Sequence, residues 1–429
     1  MHVLAVTIFF ILALFGGAAI AYLIGSTAVL GFVATDNIRY LAALPQRVLS
    51  QLDMFAFMAM PLFILAGELM NRGGIAQALV NFSLSLLGRF KGGLGHVNIL
   101  TSVFFAGISG SATADASALG NTLVPVMESK GYKRDYAAAI TAASSIIGPI
   151  IPPSIILIFY GALMNTSVTA LFAAGVVPGL LLAGVLIVIN TVQAHRLGHP
   201  GGKEAERPRV LPSFWHALPS LSLPVIILSG ILFGFMTPAE AAGLAVLAAY
   251  LVGRYYGGLP LRDVWEAMHR TAALTGAIFV ILVAIATLGY LASIEQIPQK
   301  LAAQITELGL SKTGYLLVLN VLFLLAGMIM DVKAALALMG PLLIPPALAL
   351  GVDPTHMGII VGFNLTIGLL TPPLGGVLLI LSTVTKINYW QLVRAVLPFL
   401  LAELLLLAAL ILVPDISLAL PEALGLISR

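Results

Sequence analysis

Apolar residues in this 429-residue chain fall in long uninterrupted runs rather than in the alternating pattern of strands, and the runs are of two kinds. Some are long enough to cross a hydrocarbon core: 52–70, 168–194, 271–293 and 389–414, with a further apolar stretch over 1–34. Others are shorter and come in pairs around polar turns. Residues 94–108 and 116–127 flank SGSATAD, Ser109 to Asp115, and residues 314–327 and 335–347 flank GMIMDVK. Each short arm falls below the roughly 20 residues that span a core about 30 Å thick, and the turns hold charges that lipid rejects. Each pair is therefore predicted to be a re-entrant hairpin with its tip inside protein. After each hairpin comes an apolar stretch cut by a double proline, TAASSIIGPIIPPS at 141–154 and NLTIGLLTPPLGG at 364–376. Proline removes a backbone donor and clashes with the carbonyl four residues back, so these are predicted to be broken helices with unpaired carbonyls. Amphipathic stretches at 75–90 and 297–311 read as membrane-surface arms between scaffold and hairpin.

The two sets are in register. Moving 220 positions along pairs Ala106 with Ala326, Gly107 with Gly327, Gly120 with Gly340, Leu123 with Leu343, Pro125 with Pro345 and Gly131 with Gly351. It also pairs Gly148 with Gly368, Pro152 and Pro153 with Pro372 and Pro373, and Pro178 with Pro398. Gly and Pro punctuate backbone, so both halves bend and break at matched places. The chain divides into a first repeat over 1–194 (hairpin 94–127, broken helix 136–163), a linker over 195–216, a second repeat over 217–414 (hairpin 314–347, broken helix 356–384) and a tail over 415–429. The cations set the orientation. Arg89, Lys91, Lys130, Lys133 and Arg134 bracket the first hairpin, while Lys300 and Lys312 precede the second and Asp353 and His356 follow it. By the positive-inside rule the repeats are inverted, the first hairpin entering from the cytoplasm and the second from the periplasm. The linker, Arg254, Arg262, Arg270, Lys386 and Arg394 fall on the cytoplasmic side, whereas Arg39 and Arg47 fall on the other. Trp215, Trp265 and Trp390 fall near cytoplasmic ends, as aromatic-belt residues do.

Composition agrees with an all-α polytopic membrane protein: 60% of residues are hydrophobic, 9% are charged and the mean hydropathy is +1.06. Residues 1–34 show neither a basic n-region nor a small-residue exit, so no cleavable leader is expected. With no Cys and seven scattered His, thiolate or imidazole metal centres and cysteine nucleophiles are excluded. A net charge of +3 makes no nucleic-acid stripe, and no GxxxxGK[ST] loop supports direct ATP coupling. An embedded enzyme would need an acid/base or nucleophile constellation, and Asp115, Asp331 and Glu403 are single acids without one. Inverted units, broken helices and two re-entrant tips instead describe a secondary transporter. Helix N-termini at the tips and breaks favour anionic substrate groups, and hydroxyls with freed carbonyls suit a hard cation such as Na⁺.

The runs GISGSATADASALG (107–120), AASSIIGPIIPPS (142–154), PLFILAGELMNRGGIA (61–76) and GLLTPPLGG (368–376) resemble the large membrane subunit of tripartite ATP-independent periplasmic (TRAP) transporters over nearly the whole chain. The resemblance implies the ion-transporter-superfamily elevator fold, in which a domain holding both hairpins and both broken helices slides against a scaffold. It also implies a bacterial inner-membrane location, a small four-helix membrane subunit, a periplasmic substrate-binding protein, and Na⁺-driven import of an organic acid such as a C4-dicarboxylate or sialic acid. Carried over by position, the family's first Na⁺ site maps to Ser109, Gly110, Ser111, Gly148 and Ile150, with Pro152 shaping the break. The second maps to Gly327, Ile329, Asp331, Gly368, Thr371 and Pro372, where carbonyls replace the missing hydroxyls. Ser111, Thr113, Asp115 and Lys333 are the candidate substrate contacts.

Plainer readings compete. Ser and Ala at 109–114 also suit a close-packed helix surface. Asp115 serves either ion coupling or the capping of the second arm, and Asp331 with Lys333 either a site or mutual neutralisation. Glu68 is expected at the water interface, and Glu403 in either subunit contact or coupling. A stand-alone organic-anion symporter or antiporter keeps the fold and drops the partners.

Overall fold

The computed structural model describes residues 2–53, 55–201, 208–307 and 309–428, and its regular elements are helices. The first unit contains α1 (His2–Phe15), α2 (Ile20–Ala34), α3 (Leu44–Leu52), α4 (Phe55–Arg72), α5 (Ile75–Leu87), α6 (Gly93–Ser109), α7 (Ala112–Ser129), α8 (Arg134–Ser145), α9 (Ile155–Met164) and α10 (Val168–Leu197). The second contains α11 (Val210–Leu232), α12 (Pro238–Gly257), α13 (Leu261–Ile294), α14 (Ile297–Glu307), α15 (Lys312–Ile329), α16 (Val332–Ala349), α17 (Pro354–Gly368), α18 (Gly376–Thr385), α19 (Tyr389–Leu412) and α20 (Asp415–Ala423). Among the described residues six helices are long and apolar enough to cross a membrane: α10, α11, α13, α15, α16 and α19.

The offset of 220 carries α5 to α9 onto α14 to α18 to within three residues at every end, and α7 onto α16 without error. It also relates α2 to α12, and these helices and their neighbours pack crosswise, α4 on α12 and α2 on α13. The Pro152–Pro153 and Pro372–Pro373 peptides are both cis.

The hairpins open toward opposite ends of the molecule, and α19 measures this. At its start Gln391 bonds to Asp135 at the base of the first hairpin (3.3 Å). Beyond its far end, Ser417 of α20 meets His356 at the start of α17 (2.6 Å), beside the base of the second hairpin. That second base is closed by Lys312 Nζ on the Gly351 carbonyl (2.7 Å) and Tyr315 OH on the Leu343 carbonyl (2.8 Å). The first base is closed by the chain leaving α10. Gly92 N donates to Pro200 O (3.2 Å), Tyr132 OH to Pro200 O (3.1 Å), and His199 stacks between Tyr132 and Tyr136 at 4.6 and 4.4 Å. Burial, with Lys133 nearby, holds His199 below the ordinary histidine pKa.

Charged residues follow the same axis. Arg72 pairs with Glu266 (2.9 Å) and Arg270 with Glu68 (3.3 Å), joining the end of α4 to the start of α13. Glu68 is thus held in an ion pair with its side chain only 12% exposed, not set facing water. Arg39 and Arg47 lie toward the other end of α13, where Tyr290 is about 36 Å of helix from Glu266. There Arg47 stacks on Tyr290, Arg39 on Tyr40, and Asn37 bonds to Glu295 (2.7 Å). Those contacts accommodate the two cations that break the positive-inside pattern. Trp215, Trp265 and Trp390 are exposed near the starts of α11, α13 and α19.

Several expectations need correction. The hairpin arms are 17 or 18 residues long, about 27 Å, because the caps Ser111 and Asp331 carry helix up to the tips. Shortness therefore does not make them re-entrant; contact between the tips and the breaks does. Most of GMIMDVK is helical, and only Met330 and Asp331 interrupt it. α5 packs against α6 and α11 and buries Ile75, Leu79, Phe82 and Ser83, while its counterpart α14 keeps an exposed polar side. The linker shortens to 198–209, of which 202–207 lies outside the described residues, and the tail holds α20, packed on α10 and α17.

Candidate functional site

The first tip is built by two helix ends. α6 stops at Ser109, Gly110 turns the chain with φ +58°, and Ser111 caps α7, its Oγ accepting from Ala114 N (3.4 Å). A side chain at Gly110 would collide with the Pro153 carbonyl, only 2.5 Å from the Cβ position, so the tip sits directly on the first break. Ser109 Oγ donates a short hydrogen bond to Asp115 Oδ1 and accepts from Ser111 N (3.2 Å). Asp115 is fully buried, and its Oδ2 has no hydrogen-bond partner and rests against Gly148. Capping falls to Ser111, so the carboxylate is not spent on the helix end.

In the first break, residues 146–151 wind through tight turns such as Gly148 N to Ser145 O (3.2 Å). Ser154 then caps α9 (3.3 Å to Leu157 N) and bonds to the Pro149 carbonyl, a role the sequence reading missed. The Ile150 carbonyl packs against Gly175 of α10. Pro152 is buried, its carbonyl facing Gly107.

At the second tip, backbone meets backbone. A Cβ on Gly368 would lie 2.6 Å from Gly327 C, and one on Gly327 would lie 2.9 Å from the Leu365 carbonyl. Gly375 N donates to the Met328 carbonyl (3.3 Å), a tie that the sequence pattern did not reveal. Thr371 bonds to the Ile367 carbonyl (3.0 Å) and is half-buried like Pro372, while the Ile329 side chain points outward and is exposed. Asp331 caps α16 through Lys333 N (3.0 Å) and pairs with Lys333 Nζ at 3.1 and 3.2 Å. Its carboxylate is engaged by Lys333, as the neutralisation reading expects.

Each hairpin is tied to its broken helix by buried polar groups. Asn98 donates to Thr141 (2.6 Å) and accepts from Ser144 (3.0 Å), which also accepts from Ser102 (2.9 Å). Asn364, 220 positions after Ser144, donates to Asn320 O and Oδ1 (2.8 and 2.6 Å), and its own buried Oδ1 has no partner. Polar residues inside apolar runs were the available signal. Ser144→Ala should cost about 1–3 kcal/mol, since buried Asn98 and Ser102 lose a partner; the measurement is the denaturation midpoint of the purified protein, and an unchanged midpoint refutes the coupling.

The two tips share one cavity of about 40 Å³. Ser111, Thr113, Pro149, Asp331, Lys333 and Leu369 line it, so both tips and both breaks converge there. Three of the four expected substrate contacts meet in it; Asp115 does not, lying behind the first tip with Ser109. Glu403, fully buried on α19 with both oxygens unpartnered, is not on a surface that a subunit reaches.

Two hairpins seated on two broken helices, related by an internal repeat, define a multi-pass membrane transporter. The chain belongs to the family described as tripartite ATP-independent periplasmic transporter, DctM component, which matches residues 6–416. It is 38% identical over 410 residues to the sialic acid TRAP transporter large permease protein SiaM of Vibrio cholerae, covering 95% of this chain and 96% of that one. It is 34% identical over 425 residues to the C4-dicarboxylate TRAP transporter large permease protein DctM of Rhodobacter capsulatus, covering 96% of each. The fold is similar to the crystal structure of the Alcanivorax borkumensis YdaH transporter, described as having an unusual topology, with a TM-score of 0.63, 18% identity and 88% of each chain covered. The protein is thus a TRAP-type large permease of the bacterial inner membrane.

Proposed function

We propose that this chain is the translocating subunit of a Na⁺-coupled importer of an organic acid, working with a small membrane subunit and a periplasmic binding protein, and is not an enzyme. The observation that carries this reading is the convergence of both tips and both breaks on one cavity. Two kinds of site fit there. Hard cations prefer oxygen ligands, and Asp115 Oδ2, buried and unpartnered beside Ser109 and Gly148, supports a Na⁺ site behind the first tip. Asn364 Oδ1, also buried and open, supports a second on α17, the helix that breaks at Gly368. Gly327, Ile329, Thr371 and Pro372 contribute backbone there, and Asp331 belongs to the substrate cavity instead.

The substrate acid binds between the tips, where the N-termini of α7 and α16 converge and Lys333 supplies a full positive charge. Na⁺ behind the first tip steadies Ser109 to Ser111, so ion and acid bind together. The hairpins and broken helices then move as one body against α2, α4, α12 and α13, an elevator stroke that exchanges the face to which the cavity opens.

The test is uptake into proteoliposomes holding this chain, its small subunit and a loaded binding protein. Accumulation is expected only with an inward Na⁺ gradient and to collapse when the gradient is dissipated. Uptake that needs neither Na⁺ nor the binding protein would instead support a stand-alone carrier.

A further inference from the structure

The two tips present equivalent positions to the shared cavity with different chemistry. Ser111 and Thr113 open α7, and 220 positions later Asp331 and Lys333 open α16. In the first pair, Ser111 Oγ and Thr113 Oγ1 share a hydrogen bond at 3.1 Å. In the second, Lys333 Nζ holds Asp331 Oδ1 and Oδ2 at 3.1 and 3.2 Å. One side of the cradle is thus neutral and hydroxylated, and the other is an ion pair of zero net charge. Asp331 and Lys333 are the charged residues lining the cavity.

Resting on the reading of the protein as a carboxylate transporter, we propose that this asymmetry selects hydroxylated monocarboxylates, of the sugar-acid class, over dicarboxylates. Asp331 is the internal anion that occupies Lys333 until a substrate carboxylate exchanges for it. Its side chain is 50% exposed, so it can swing into water when displaced. A single carboxylate is then matched by a single cation and by the N-terminal dipoles of α7 and α16. A second carboxylate would find no second cation and would lie near the displaced Asp331, which repels it. The opposite side accepts hydroxyl groups instead, since Ser111 and Thr113 keep one hydroxyl donor and acceptor lone pairs beyond their mutual bond, and a substrate without hydroxyls leaves that capacity unused. The cavity is smaller than a sugar acid, so the tips part to admit one; the groups on the tips, not the volume, discriminate.

The experiment measures binding of gluconate, succinate and butyrate to the purified full-length chain in Na⁺ buffer by calorimetry. The wild type is expected to bind gluconate at least about tenfold more tightly than succinate or butyrate. Asp331→Asn should narrow the gluconate-to-succinate ratio roughly tenfold by strengthening succinate. Lys333→Met should lose gluconate binding, Lys333→Arg should recover part of it, and Thr113→Val should bring gluconate down toward butyrate. Succinate binding as tight as gluconate, a ratio unchanged in Asp331→Asn, or no binding of any of the three overturns the proposal. Uptake by the complete three-component system separates the two levels. If a carboxylate is still accumulated when these binding results fail, only the selectivity falls; if none is, the transport reading falls as well.

Discussion

Replacing Asp115 with asparagine is expected to lower Na⁺-driven uptake roughly a hundredfold while leaving the protein folded. Asparagine keeps the shape and still accepts the Ser109 hydroxyl, so the tip retains its internal bond. What disappears is the anionic ligand that a bound Na⁺ would meet at a buried oxygen that has no protein partner and abuts the unwound break at Gly148. Removing one partner of a buried charge costs about 3 kcal/mol, which is roughly two decades in rate or affinity. Initial uptake rates against external Na⁺ check this, with Ser109→Ala as the companion that removes the donor. Wild-type Na⁺ dependence in Asp115→Asn would mean that the carboxylate only orders the tip.

The second large effect lies in backbone packing at the other tip. Gly368→Ala places a methyl 2.6 and 2.7 Å from Gly327 C and Cα, distances that real Cβ contacts do not show. Backbone cannot rotate away as a flexible side chain can, so the second hairpin must lift from its broken helix. Overpacking of this kind costs about 1–3 kcal/mol and is expected to lower the denaturation midpoint and abolish uptake. Gly276→Ala is the control: it sits within α13 with nothing inside 4 Å of the new methyl, and its midpoint should stay level or rise. Equal behaviour of the two variants would show that the Gly327–Gly368 contact does not hold the tip.

Much of the fold was legible because Gly and Pro constrain backbone directly. Gly107 with Gly327 and Pro152 with Pro372 located both breaks and both hairpins, and the helix ends follow that register closely. The first tip was legible for a related reason: SGSATAD joins a turn glycine to a capping serine within a few residues. What escaped reading depends on contacts distant in sequence. Asn98 meets Ser144 and Asn320 meets Asn364 across more than 40 positions, and each in isolation is one polar residue in an apolar run. The arm lengths were misjudged because Ser111 and Asp331 look like turn residues, yet as caps they extend helix up to the tip. Ile150 and Ile329 illustrate another limit. Which way a carbonyl or side chain points at a break depends on the neighbouring helix, here Gly175 of α10 for Ile150, and no local pattern encodes that.

If the cavity between the tips is the translocation site, it opens alternately to the two faces of the membrane. The sequence contains no cysteine, so Thr113→Cys introduces a single thiol into that cavity. The decisive measurement is its modification by a membrane-impermeant thiol reagent applied to one side or the other of oriented proteoliposomes. Labelling is expected from both sides, with Na⁺ shifting the balance between them and a bound carboxylate protecting the thiol. A thiol that reacts from only one side under every condition of Na⁺ and substrate would contradict it.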